Sequence, residues 1–98
     1  MYKPEFTKQA QKDARLIENA GLKGNAAKII DIVRKNPFQN PPPFEALKGD
    51  RKGAYSRRIN RQHRFVYEVL PNATNLKDEN NVTYEGVVKV IRMWTHYE

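Results

Sequence analysis

Two β-type runs, Ala54 to Ile59 and His63 to Leu70, are separated by only Asn60-Arg61-Gln62. A connection that short joins the runs as an antiparallel hairpin, so this segment commits the chain to a sheet. The hairpin is also densely cationic, because Ser56-Arg57-Arg58-Ile59 leads into His63-Arg64-Phe65-Val66-Tyr67. A bare basic tail would be lysine-rich, polar and disordered. Here the arginines stand beside Ile59, Phe65, Val66 and Tyr67, which predicts that strands hold them rigidly. A rigidly held guanidinium suits a phosphate, to which it gives paired hydrogen bonds.

The chain has 98 residues and a formal net charge of +7. That length predicts a single domain, residues 1–98, with a small core. Residues 48 to 64 hold Lys48, Arg51, Lys52, Arg57, Arg58, Arg61 and Arg64 against Asp50 alone. This one segment therefore carries +6, leaving +1 for the rest. Such a patch favours an anionic partner, with nucleic acid the first candidate. No basic amphipathic helix carries the charge, which argues against a membrane surface. The absence of cysteine excludes disulfides, thiolate catalysis and zinc-ribbon chemistry, and fits a reducing compartment. No apolar run approaches the roughly 20 residues needed to span a bilayer. The start, Met1-Tyr2-Lys3-Pro4-Glu5, offers no signal-peptide core.

Residues 1 to 6 predict a short edge strand, weakened by Pro4. Thr7 is a suitable cap for a helix running to about Ala20, with Gly21 as its terminator. Its apolar stripe is Phe6, Ala10, Ala14 and Ile17, with Leu16 adjoining. Ala26, Ile29, Ile30 and Val33 mark a second helix from about Leu22 to Lys35, stopped by Asn36-Pro37. The short link between them predicts an antiparallel helix pair. Residues 37 to 44, with three successive prolines, read as an extended, solvated crossover from helices to sheet. Gly49 and Gly53 bracket a basic loop before the hairpin. After it, the polar stretch 71 to 81 reads as the loop of a second, longer hairpin. A long strand then runs from Val82 to Thr95, with a kink expected at Gly86. The order is α+β: two N-terminal helices packed on one face of a small, mainly antiparallel sheet.

Strand alternation sorts the side chains. Arg64, Val66, Glu68 and Leu70 share one face of the middle strand, opposite His63, Phe65, Tyr67 and Val69. Val88, Val90, Arg92, Trp94 and His96 share a face of the last strand under strict alternation. A register that puts Arg64 and His96 on one surface would also let Glu68 pair with Arg92 as structural support. His63 then reads as structural, satisfied against the helices.

Taken together, Asn36-Pro37-Phe38, Phe44-Glu45-Ala46-Leu47-Lys48, Ser56-Arg57-Arg58-Ile59, His63-Arg64-Phe65-Val66-Tyr67 and His96-Tyr97 resemble the YoeB/Txe-type toxins of the RelE superfamily. Each piece alone is weak, but their order, spacing and place at the chain end make the combination specific. The resemblance implies a RelE-like fold and a toxin of a type II toxin–antitoxin system. It also implies a ribosome-dependent mRNA endonuclease of the bacterial cytoplasm. Its expected partners are mRNA on the ribosome, ribosomal RNA, a cognate antitoxin and, in many such toxins, a second copy. Two departures stand out: a polar insertion around residues 71 to 84, and Glu98 beyond the usual terminal tyrosine.

The implied reaction is attack by a ribose 2′-oxygen on the adjacent phosphate with loss of the 5′-oxygen, using no metal or cofactor. By the resemblance, Glu45 is the general base, His96 the general acid and Arg64 the clamp on the scissile phosphate. Composition alone favours a solvated loop carboxylate, a surface histidine and a strand ion pair for these residues. Lys48 and Arg58 match accessory phosphate-binding positions, and Tyr97 a residue that stacks on or orients a base. Competing readings are a gyrase-directed toxin of the same fold and a non-catalytic RNA-binding module. A metal-dependent nuclease lacks ligands at recognisable spacing.

Overall fold

The computed structural model describes residues 1–95, built as one sheet with both helices on a single face. Strand β1 (Tyr2–Phe6) leads into α1 (Lys8–Asn19) and α2 (Lys23–Lys35). The strands β2 (Glu45–Ala46), β3 (Ala54–Arg58), β4 (Arg64–Pro71) and β5 (Gly86–Trp94) follow. Their order across the sheet is β1-β5-β4-β3-β2. Only β1 runs parallel to its neighbour, so the architecture is the mainly antiparallel α+β fold expected from the sequence. Pro4 is tolerated because β1 is an edge strand. Among the described residues no helix is long and apolar enough to cross a membrane.

The helix boundaries follow local chemistry. Thr7 Oγ1 accepts the Ala10 N–H at 3.0 Å, which caps α1. Gly21, at φ +76°, ends it with the Leu22 N–H on the Ile17 carbonyl and its own N–H on Glu18. Ala10 and Ile17 from α1 meet Ala26, Ile29 and Val33 from α2 over Phe65, Tyr67, Val88, Val90 and Met93. Leu16 falls outside this cluster and is exposed, because it sits a helix step away from the buried stripe. Asp13 lies on that stripe and is buried.

Strict alternation fails along β5. Val66 pairs with Arg92 and Tyr67 with Val90, so Ile91 is the extra residue of a bulge. The bulge switches faces: Val88, Val90 and Met93 join the core, while Arg92 and Trp94 line the opposite face. The strand also begins at Gly86 rather than Val82, so that glycine opens the strand instead of kinking it. A Cβ on Gly86 would lie 2.7 Å from the Leu70 carbonyl oxygen and 3.0 Å from the Tyr2 ring.

Residues 71–85 form a self-bonded extension. The Asn72 side chain donates to the carbonyls of Leu76 and Tyr84 and accepts the Leu76 N–H. Asp78 Oδ1 accepts the N–H groups of Asn80 and Val82. In the first hairpin, Ile59 N–H bonds the His63 carbonyl across the expected tight turn. His63 is satisfied there by Asn60 Oδ1, at 3.0 Å from its Nδ1, rather than against the helices.

The proline-rich crossover is not a solvated, extended segment, and Arg57 is the reason. Arg57 is buried, pointing to the helix side of the sheet with Tyr67. Its Nε donates to Tyr67 Oη at 3.0 Å, Nη1 to the Pro42 carbonyl at 2.6 Å, and Nη2 to the carbonyls of Pro37 and Gln39 at 3.0 and 2.8 Å. Tyr67 Oη donates to Pro37 at 2.7 Å, and the guanidinium lies 4.9 Å from the Phe44 ring centre. Arg57 is therefore not a phosphate ligand, and the cationic surface has one arginine fewer than the sequence suggests.

Arg57→Met leaves the Pro42 and Gln39 carbonyls without their donor and lowers stability by about 3 kcal/mol, read from urea midpoints at unchanged m. Gly86→Ala forces a backbone contact apart and costs about 1–3 kcal/mol in the same assay. Burial pushes the Tyr67 phenol above its ordinary value, with Arg57 offsetting part of that rise. Unfolded tyrosine ionises near pH 10, so the contribution of Tyr67 is complete below about that pH. It is lost as pH rises through the higher folded value. The stability gap between wild type and Tyr67→Phe therefore narrows above about pH 10 in urea titrations across pH.

Candidate active site

The face of the sheet opposite the helices holds an open cleft of about 1050 Å³. Four cations line it: Arg64 from β4, Arg92 from β5, and Lys48 and Arg51 from the loop after β2. Glu45 and Asp50 are its carboxylates, Ser56 and Val66 its floor, and Leu47 and Trp94 complete the lining. Lys48, Asp50 and Arg51 are held at the rim by a 3₁₀ turn, Gly49–Arg51. Gly49 and Gly53, at φ +66° and +97°, let the loop reverse tightly around it.

Two short-range devices bring the expected base and clamp together. Glu45 opens β2, an edge strand of two residues that pairs Glu45 with Ser56. Such a strand is too short to leave a periodic signal, and composition alone reads Glu45 as a solvated loop carboxylate. Ser56 in turn pairs with Val66, two residues from Arg64 on the same face. Arg64 Nη1 then donates to Glu45 Oε1 at 2.8 Å and meets Ser56 Oγ at 3.4 Å. The Glu45 side chain is 64% exposed and that of Arg64 20%, so this ion pair contributes little to stability. An incoming phosphate can take over the guanidinium without stranding a buried carboxylate.

The other expected residues divide. Lys48 lines the cleft. Arg58 is exposed, directly opposite Arg64 in the register, and lies outside the lining. His96 and Tyr97, like Glu98, lie outside the described residues. Trp94 is the register partner of Arg64, so the described part of β5 ends beside the Glu45–Arg64 pair. Among the described residues no group of three or more His, Asp or Glu side chains could hold a metal ion.

Arg92 does not pair with Glu68, which stands opposite Lys89. Its partner is Asp13 of α1, with Nε on Oδ2 at 2.8 Å and Nη2 on Oδ1 at 3.2 Å. Asp13 Oδ2 also accepts the Met93 N–H at 3.0 Å. This is possible because β1 stops at Phe6, opposite Val90, and the start of α1 takes over the edge of β5. There Thr7 N–H bonds the Val90 carbonyl and Thr7 Oγ1 the Ile91 carbonyl. The Arg92 guanidinium lies 3.5 Å from the centre of the Trp94 ring. Asp13 escaped the sequence reading, although a charged residue on a buried helical stripe is the signal that marks it.

Comparison with known proteins places this geometry. The family model described as "YoeB-like toxin of bacterial type II toxin-antitoxin system" matches residues 6–97. A curated relative, Toxin YoeB of Synechocystis sp., is 34% identical over 59 residues. That match covers 60% of this chain and 62% of the relative, so the chain spans about three-fifths of the length of the relative it matches. Among solved structures, a YoeB/ParE toxin from Agrobacterium tumefaciens is 28% identical with a TM-score of 0.77, covering 97% of this chain and 99% of that one. A chain of the YoeB-YefM complex from Staphylococcus aureus is 25% identical with a TM-score of 0.69, covering 99% of each. With the family model spanning both helices and strands β2 to β5, the chain belongs to the YoeB-like toxins of bacterial type II toxin–antitoxin systems.

Proposed function

We propose that this toxin is a ribosome-dependent endoribonuclease that cuts mRNA without a metal. The observation that carries the reading is the 2.8 Å contact between Glu45 and Arg64 inside a cationic cleft. A carboxylate and a fixed cation at one point are what attack on a phosphodiester by its neighbouring 2′-hydroxyl requires.

In this mechanism the scissile phosphate binds Arg64 and frees Glu45 to take the 2′-hydroxyl proton. The 2′-oxygen bonds to phosphorus as the bond to the 5′-oxygen breaks, giving a 2′,3′-cyclic phosphate and a new 5′-hydroxyl end. His96, two residues beyond Trp94 in the chain, gives its proton to the leaving 5′-oxygen. Arg64 stabilises the charge that builds on the phosphate oxygens. Lys48 and Arg58 contact flanking phosphates, and Tyr97 stacks on or orients a base. The cationic rim around Lys48 and Arg51 docks on ribosomal RNA. In the cytoplasm an antitoxin protein neutralises the enzyme by covering this face, as an acidic segment that folds on binding. Self-association remains an expectation from the resemblance, checked by sedimentation of the free toxin.

The test is 5′-end mapping of a reporter mRNA in a bacterial cell-free translation reaction, with and without active ribosomes. Wild type produces new ends within codons only during translation. Arg64→Ala reduces their rate of appearance by about 10²–10³-fold, and Glu45→Gln and His96→Ala reduce it comparably. Undiminished cutting by folded Arg64→Ala would sink the assignment. Growth arrest with no new RNA ends, but with stabilised DNA breaks, would favour a gyrase-directed toxin instead.

A further inference from the structure

Arg92 is the least expected cation in the cleft. On the side facing RNA it shares the surface with Arg64, since Val66 stands opposite Arg92 and two residues from Arg64. It is restrained on three sides: two hydrogen bonds to Asp13 and the Trp94 ring beneath it. Full burial of a guanidinium carries a large desolvation cost unless every donor finds a partner. The Arg92 side chain instead keeps 21% of its surface, while its Asp13 partner keeps 2%. Its Nη1 makes no hydrogen bond among the described residues. The carboxylate is thus buried behind the partly exposed Arg92 side chain, and Arg92 lines the cleft.

We propose that Arg92 is a second backbone contact for single-stranded RNA, seating the phosphate next to the scissile one, and that Asp13 is its positioning residue. The assignment rests on the endonuclease reading for its substrate. The guanidinium has already lost its rotamer freedom to Asp13 and Trp94, so binding a phosphate costs little further ordering. Asp13 also accepts the Met93 N–H, which fixes the carboxylate against β5 and with it the guanidinium it holds. Lysine cannot replace this arrangement, because an ammonium offers neither the paired hydrogen bonds nor the planar stack.

The probe is a short single-stranded RNA with 2′-O-methyl groups throughout, which lacks the attacking hydroxyl and is not cut. Its affinity for the full chain is measured by fluorescence anisotropy across a salt series, without ribosomes. Circular dichroism and urea midpoints establish that each variant is folded. Arg92→Met weakens binding about tenfold and reduces the salt slope by about 0.7, the value for one lost phosphate contact on a single strand. Arg92→Lys keeps the charge yet recovers only part of the affinity. Asp13→Asn raises the net charge by one, so a pure charge effect tightens binding. Lost positioning weakens it instead, and the amide keeps an acceptor for the Met93 N–H. Wild-type affinity and salt slope in folded Arg92→Met overturn the proposal, as does tighter binding by Asp13→Asn or no salt-dependent binding by wild type. If Arg92→Met loses binding while wild type cuts no translated mRNA, the endonuclease reading fails and the RNA contact stands. If wild type cuts but Arg92→Met binds normally, only the Arg92 proposal fails.

Discussion

A buried arginine with no carboxylate beside it among the described residues holds this molecule together on the β3–β4 side. Arg57 meets its desolvation through backbone carbonyls and one phenol, all of them supplied by the crossover and by Tyr67. Such a charge tolerates burial only when nearly every donor is used. The dependence runs in both directions. The crossover has few internal hydrogen bonds, so its path is set by where Arg57 needs acceptors. Phe38 and Phe44 then pack on Tyr55, closing the loop over the sheet. The crossover delivers the chain to β2, and β2 delivers Glu45 to Arg64. The cleft on one face is thus indexed by a residue buried on the other.

The second organising device is the bulge at Ile91. A strand without it would carry Arg92 and Trp94 into the apolar core beside Val90. With it, one residue of slippage sends them to the cleft and returns Met93 to the core. The same place is where β1 ends and α1 begins to satisfy the edge of β5. Asp13 closes the last of these bonds and at the same time ties a cleft cation to the helix layer. The two layers are therefore coupled at the end of β5 through polar contacts rather than through packing alone.

Much of this was legible in the chain. Period-two alternation and a three-residue connection marked the 54–70 hairpin, and Thr7, Gly21 and Pro37 punctuated the helices. What escaped shares a physical cause: it depends on contacts distant in sequence. An arginine reads as surface charge until carbonyls 15 to 20 residues away are known to converge on it. No glycine or proline marks the bulge at Ile91, and β2 is shorter than any period. Residue type alone gave no reason to join Glu45 to Arg64; only the resemblance singled them out, and the strand register then brought them into contact. Arg58 was equally prominent in the motif and lies beyond the cleft, since direct opposition in register does not aim a long side chain.

The 71–85 extension satisfies its own polar groups through Asn72 and Asp78, and its two ends, Pro71 and Gly86, are already cross-strand partners. Nothing in the sheet needs the intervening residues to hold β4 against β5. The extension is therefore a graft site in the mechanical sense: its length and composition can drift, or be replaced by a tight turn, with the register preserved. It also lies at the far end of β4 from Arg64, so such drift reshapes one pole of the toxin while leaving the pole that carries the Glu45–Arg64 pair untouched.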